Sequence, residues 1–164
     1  MSHDPIGRMM HYSDWANGQL MAAATPLSDE QLDRPMEIGL GSLRAILKHI
    51  HDGESVWLAR WQGRGQTPWP SYDERPDMAT LAGRFRQTVA DRDAFLKTLT
   101  AADFERSVTY RDSKGSLFTA TLGDMILQGI NHSVHHRAQA VNVLRRVGAG
   151  LVELDYMVFM RKPA

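Results

Sequence analysis

The amino-acid sequence predicts an all-α protein, a four-helix bundle with one small β-hairpin before its last helix. Three segments repeat inward-facing residues at steps of three and four positions, as one face of a helix requires. A fourth helix is predicted from its N-cap, and stretches rich in proline or glycine separate the helices. One short segment alternates apolar and polar residues instead, which is typical of strands. A chain of 164 residues is long enough to bury a core, and we expect one domain over residues 1–164.

The first two helices are predicted over residues 5–24 and 43–62. Pro26 ends the first helix, and Ser42 is the expected N-cap of the second. The inward face of the first helix consists of Ile6, Met9, Met10, Ser13, Asn17, Leu20 and Ala24. The inward face of the second consists of Leu43, Ile46, Leu47, Ile50, Trp57 and Trp61.

A long loop and a hairpin flank the predicted third helix. Residues 63–76 contain two glycines and three prolines, too many for regular structure, and loops of this length are often functional. Asp77 is the expected N-cap of a helix that extends to about Leu99. Residues 106–120 then alternate around the turn-prone sequence DSKG, which predicts the hairpin.

The fourth helix is the longest, over residues 122–147, with Thr121 as its N-cap and Gly148 and Gly150 at its end. We expect the short apolar segment ELDYMVFM that follows to dock on the bundle. The core-facing side of the fourth helix consists of Leu122, Met125, Ile126, Gly129, Ser133, Ala140, Val143, Leu144 and Val147.

Composition excludes several classes of function. Lysine and arginine together number 19, as do aspartate and glutamate, so neither nucleic acid nor an anionic membrane is an expected partner. The chain has no cysteine, which excludes disulfides, a thiolate nucleophile and sulfur-ligated metals. The sequence MSHDPIGRMM lacks the features of a signal peptide, and no stretch reaches the roughly 20 apolar residues of a membrane span. We therefore expect a cytoplasmic protein.

Two histidines on the fourth helix point towards the core. On a helical wheel, His136 lies roughly 20° and His132 roughly 60° from the centre of the inward face, whereas His135 lies roughly 120° away. His132 and His136 are separated by one turn, about 6 Å of rise, so both imidazoles can reach one metal ion. The neighbouring inward residues are small, which leaves room for a ligand. Buried imidazoles without a partner are otherwise unfavourable, by about 1 to 3 kcal/mol per group.

A third ligand is expected from the second helix, in the sequence KHIHDGE. The wheel does not decide between its two histidines, because His51 lies about 80° and His49 about 120° from the centre of the inward face. Glu54 falls about 20° from that centre, which makes it a candidate base or a residue that supports the ligands.

Three motifs resemble the DinB-like family of metal-binding four-helix bundles. They are a Tyr-x-x-Trp-Ala-Asn sequence beginning at Tyr12, then LKHIHDGESVWLARW, and then NHSVHHRAQ followed by LRRVG. The resemblance extends over nearly the whole chain. It implies an up-down-down-up bundle, often dimeric, with zinc or nickel as the metal. It also implies His49, His132 and His136 as the ligands, which settles the choice that the wheel leaves open.

An ion held by three neutral imidazoles keeps its double positive charge and at least one free coordination position. Such a centre lowers the pKa of bound water to about 7 or binds a small thiol as its thiolate. The leading hypothesis is thus a metal-dependent transferase or hydrolase acting on a small molecule. The use of a low-molecular-weight thiol rests on the resemblance, because some relatives are thiol-dependent S-transferases or isomerases. The competing hypothesis is a non-enzymatic stress-response or interaction protein with a structural metal.

The other conspicuous residues near these motifs have two interpretations each. His135 either takes part in proton transfer or lies at the surface, and the sequence favours the surface. Trp57, Trp61 and Trp69 either line a substrate pocket or, for the first two, belong to the core. A zincin-type protease is disfavoured, because Ser133 stands where that motif has its catalytic glutamate.

Overall fold

The computed structural model describes residues 5–161 and confirms a mostly helical chain with a small hairpin before the last long helix. The hairpin strands are β1 (Ser107–Arg111) and β2 (Leu117–Thr121). A 3-10 helix at Ala101–Glu105 precedes them. The α-helices are α1 (Pro5–Ala24), α2 (Asp29–Leu32), α3 (Leu43–Trp61), α4 (Met78–Leu96), α5 (Leu122–Arg146) and α6 (Tyr156–Met160). None of the helices described is long and apolar enough to cross a membrane.

Side-chain caps fix the first residues of three long helices. The Ser42 side chain accepts a hydrogen bond from the backbone of Ala45, and Asp77 and Thr121 do the same at α4 and α5. Each cap satisfies a backbone N–H that has no partner within the helix. The three N-caps expected from the sequence are therefore confirmed.

Two short elements complete the fold. In α2, the Ser28 and Gln31 side chains form a reciprocal capping box, and this helix was not predicted. In α6, Tyr156 and Phe159 pack against Tyr12 of α1, with ring centroids 5.4 and 6.0 Å apart. The predicted docking of the C-terminal apolar segment is thus confirmed.

The long helices form a ring in which α1 and α3 each pack against both α4 and α5. The helices α3 and α5 run antiparallel, because His49 lies beside His136 whereas Trp61 lies beside Gly129. The helices α3 and α4 run in the same direction, since Arg44 bonds to the carbonyl just before α4 and His51 contacts Thr88 farther along. Both observations agree with the expected up-down-down-up bundle.

Two apolar clusters fill opposite ends of the bundle. One contains Met10 of α1 and Leu122 of α5, and the other contains Ala24 and Val147, so α1 and α5 are parallel. Between the clusters lies a group of polar residues that we call the polar layer, which consists of Ser13, Asn17, Glu54, Ser133 and Arg137. The inward histidines of α5 stand at the same height along this helix.

Candidate metal centre

Both inward histidines of α5 face the partner helix α3. His132 and His136 are partly buried, and their ring centroids are 4.5 Å apart. The large residues of the two apolar clusters stop short of this part of α5. The one-turn spacing has therefore produced the adjacent pair of imidazoles that the wheel predicts.

His49 of α3 completes a compact group. Its ring centroid lies 5.0 Å from that of His132 and 4.4 Å from that of His136. One nitrogen from each of the three rings lies within 4.8 Å of the other two. Metal–nitrogen bonds of about 2.0 to 2.1 Å place tetrahedral neighbours about 3.4 Å apart, so small movements of these side chains would bring all three donors around one ion.

The protonation state of the three rings also suits a metal ion. Burial, with the positive charge that His136 would add, lowers the pKa of His49 to about 4 and that of His132 to about 3. Burial also lowers the pKa of His136. The rings are therefore neutral at pH 7, as metal binding requires. The Nδ1 atoms of His49 and His132 are buried without a hydrogen-bond partner, a cost that a shared cation can offset.

Gln139 orients the third imidazole. His136 Nδ1 lies 2.8 Å from Gln139 Oε1, which can only accept, so this nitrogen carries the proton and Nε2 keeps its lone pair. The amide nitrogen of Gln139 donates in turn to Nε2 of His135, over 3.0 Å. His135 is exposed, and its ring also lies edge-on to that of His136, with centroids 4.9 Å apart.

His51 lies outside the group, with both ring nitrogens engaged elsewhere. Its Nδ1 lies 3.2 Å from a carboxylate oxygen of Asp52, and its Nε2 lies 3.3 Å from the hydroxyl of Thr88. The alternative ligand that the wheel left open therefore packs against α4.

Glu54 points inwards, as predicted, but into the polar layer. Its Oε1 accepts hydrogen bonds from Asn17 and Ser133, at 2.8 and 3.2 Å, and burial raises its pKa. It does not belong to the group of mutually close ligand atoms formed by the three histidines.

Two glycines that border the group, Gly53 and Gly39, were not predicted as part of the site. A Cβ atom on Gly53 would lie 2.5 Å from Cε1 of His132. A Cβ atom on Gly39, where φ is +56°, would lie 2.4 Å from Oε1 of Gln139. The available signal was Gly53 itself, since a glycine inside a helix costs about 1 kcal/mol relative to alanine and often marks a close approach.

A cavity of about 590 Å³ adjoins the histidines, with walls from α3, the loop 62–77, the hairpin and α5. His49 and His132 line one part of it, and Trp57 and Trp69 contribute aromatic walls. Trp61 instead packs into the core against Gly129. The lining also includes Arg60, Tyr72, Tyr110, Asp112, Asp124, Met125 and Gln128.

Comparison with known proteins places the chain in a family. Among solved structures, it is similar to YfiT from Bacillus subtilis, with a TM-score of 0.66 and 21% identity over 90% of each chain. That protein is described as a probable metal-dependent hydrolase with an unusual four-helix bundle topology. No curated protein matches the sequence. The family model of the DinB superfamily matches residues 13–140, most of the chain, and the chain therefore belongs to the DinB superfamily.

Proposed function

We propose that His49, His132 and His136 bind one divalent metal ion and that the protein is a metal-dependent hydrolase or transferase of small molecules. The observation that carries the proposal is the convergence of three neutral imidazole nitrogens within 4.8 Å of one another. The adjoining cavity supports catalysis over a purely structural role, because a structural zinc site is normally closed by four protein ligands. The likeness to YfiT agrees with the hydrolase form of the proposal.

Imidazole nitrogen suits zinc, nickel, copper and iron, and we propose zinc or nickel as the ion. When bound, such an ion supplies a Lewis acid that activates water or a thiol at neutral pH. The neighbouring protein residues position the histidine ligands. Gln139 holds His136 in one orientation, and Gly53 leaves space for His132. Trp69, whose ring centroid lies 4.9 Å from that of His49, forms an aromatic wall at the reacting end of the cavity.

Metal content tests the proposal directly. Untagged protein is analysed by inductively coupled plasma mass spectrometry, as wild type and with each histidine of the group changed to alanine. His51→Ala and His135→Ala serve as matched controls. We expect about one ion per chain in the wild type and both controls, and loss of the ion in the other three variants. Wild-type protein that neither contains nor takes up a divalent ion would contradict the proposal.

Activity assays distinguish a catalytic role of the metal from a structural one. Metal-loaded and chelator-treated protein is assayed for hydrolysis of a panel of small esters and amides. In a second assay, it is tested for transfer of a low-molecular-weight thiol to an electrophile. We expect turnover that depends on the metal and that His136→Ala abolishes. A metal that raises the melting temperature while no substrate turns over would favour the non-enzymatic alternative.

A further inference from the structure

Arg60 is a buried cation at the cavity wall that lacks an ion-pair partner. Its residue exposure is 5%, yet among residues 5–161 no carboxylate lies within 4.0 Å of its side-chain nitrogens. Two other buried arginines differ in this respect. Arg44 pairs with Asp29 and Asp33, and Arg92 pairs with Asp14 and Asp93.

The contacts of Arg60 hold the guanidinium but leave part of it unsatisfied. One Nη donates to the carbonyl of Arg111 over 2.8 Å, and the planar group lies 4.8 Å from the Trp57 ring and 5.1 Å from the Tyr110 ring. Its Nε is buried and has no hydrogen-bond partner. Burial lowers the pKa of Arg60, and the nearby Tyr110 and Asp112 offset this effect only in part. A buried, unpaired cation is strongly unfavourable, so the binding of an anionic group beside it is favourable.

The two acidic residues of the cavity are already engaged elsewhere. Asp112 accepts hydrogen bonds from the backbone of Lys114 and Ser116, both at 2.9 Å, and so stabilises the hairpin turn. Asp124 accepts a bond of 2.8 Å from the Thr121 hydroxyl at the start of α5. Both carboxylates therefore stabilise local structure, and although the charge of Asp112 acts on Arg60 from a distance, neither carboxylate forms an ion pair with it.

The cavity connects Arg60 with the histidine group. His49 and Arg60 are separated by eleven residues of α3, which is about three turns and about 16 Å of rise, and therefore share one face. On α5, His132, Gln128 and Asp124 line the same cavity on successive turns. The space is thus elongated along both helices, with the histidines at one end and the guanidinium at the other.

We propose that the cavity binds an elongated small molecule whose carboxylate is held by Arg60. The apolar or aromatic body of the ligand packs along Trp57, Trp69 and Tyr110, and its reacting end reaches the histidine group. The position of the reacting end rests on the proposed metal site. The carboxylate subsite does not, because it is built from residues at the opposite end of the cavity.

A matched pair of probes tests the carboxylate subsite, 4-phenylbutyrate and its neutral amide. Their binding to chelator-treated protein is measured by tryptophan fluorescence and by chemical-shift titration. We expect the acid to bind wild type about tenfold tighter than the amide, as one charge-assisted hydrogen bond predicts. Arg60→Gln removes this preference, Arg60→Lys retains part of it, and the exposed neighbouring change Arg64→Gln leaves it intact. Circular dichroism verifies that each variant is folded.

Equal binding of acid and amide to wild type, including no binding of either, overturns the subsite. So does a preference that survives in folded Arg60→Gln protein. A second measurement uses zinc-loaded protein and alkyl hydroxamates of increasing length that end in a carboxylate or its methyl ester. We expect the carboxylate to improve affinity only in the longer members, and only when Arg60 is present. If zinc fails to bind while the phenylbutyrate preference holds, the metal proposal fails and the carboxylate subsite stands.

Discussion

Replacing Gly53 by alanine should weaken metal binding through a single added carbon atom. The new Cβ would lie 2.5 Å from Cε1 and 2.7 Å from Nδ1 of His132, whereas ordinary contacts begin near 3.4 Å. The imidazole must therefore retreat by about 0.9 Å unless the helices α3 and α5 move apart. Helix separation is unfavourable, because these two helices have the most extensive contact in the bundle.

The size of the displacement sets the expected effect on affinity. Ligand positions in a metal site are held within about 0.2 Å, so a shift of this size removes much of the contribution of His132. We expect Gly53→Ala to lower zinc affinity by about 10- to 100-fold, the range found when residues that orient a ligand are altered. Helix propensity acts in the opposite direction and favours alanine by about 1 kcal/mol. The variant should thus fold well and bind metal poorly.

Zinc affinity is measured by competition with a chromophoric chelator, and stability by urea unfolding of the metal-free protein. The matched control is Gly18→Ala, since Gly18 lies in α1 and a Cβ there meets no atom within 4 Å. The control should gain about 0.4 to 1 kcal/mol of stability with wild-type zinc affinity. If Gly53→Ala also gains stability and keeps wild-type affinity, His132 is not confined as the structure indicates, and the reasoning is refuted.

Three further predictions concern the same region. In metal-free protein, the pKa values of His49 and His132 are about 4 and about 3, against an ordinary value of 6.5. Between these values and pH 6.5, the unfolded chain therefore binds more protons than the folded chain. The stability from these neutral rings is therefore fully present well above pH 6.5 and falls by up to about 2 kcal/mol per ring by pH 5. Urea unfolding with chelator present measures this loss, and a flat profile contradicts it. Gln139→Ala should lower zinc affinity about tenfold in the competition assay, because His136 loses its orienting acceptor, and unchanged affinity would exclude that role. Glu54→Ala should cost about 3 kcal/mol in urea unfolding and leave one ion per folded chain by mass spectrometry; a folded, metal-free variant would instead make Glu54 a ligand.

Most of the fold could be predicted because residues close in sequence determine where its helices begin and end. Ser42, Asp77 and Thr121 are good N-caps, and each forms the hydrogen bond that ends the preceding loop. The helix α2 was missed because four residues are too few to show a helical period. Its capping box between Ser28 and Gln31 was the remaining signal.

The third histidine could not be chosen from the helical wheel because α3 is buried on nearly every side. Even Lys48 and Asp52 are buried there, and Lys48 donates to the carbonyl of Ser71 in the loop 62–77. The same loop places Trp69 against His49, with ring centroids 4.9 Å apart. The apolar stripe of a helix indicates one inward direction only when its other faces meet solvent. The motif resemblance selected His49, and the contacts among the three rings agree with it.

The position of Glu54 explains how the histidine group stays free of protein carboxylates. Its negative charge is drawn towards Arg92 and Arg137, and Asn17 and Ser133 bind one of its oxygens within the polar layer. A carboxylate as a fourth protein ligand would neutralise half the charge of a divalent ion and close the coordination position that a substrate needs. In the proposed metal site, three neutral donors would instead leave that charge to act on the cavity, where Arg60 places a positive charge at the far end. With the proposed ion bound, two separated positive centres joined by aromatic walls would select a molecule that carries electron-rich groups at both ends.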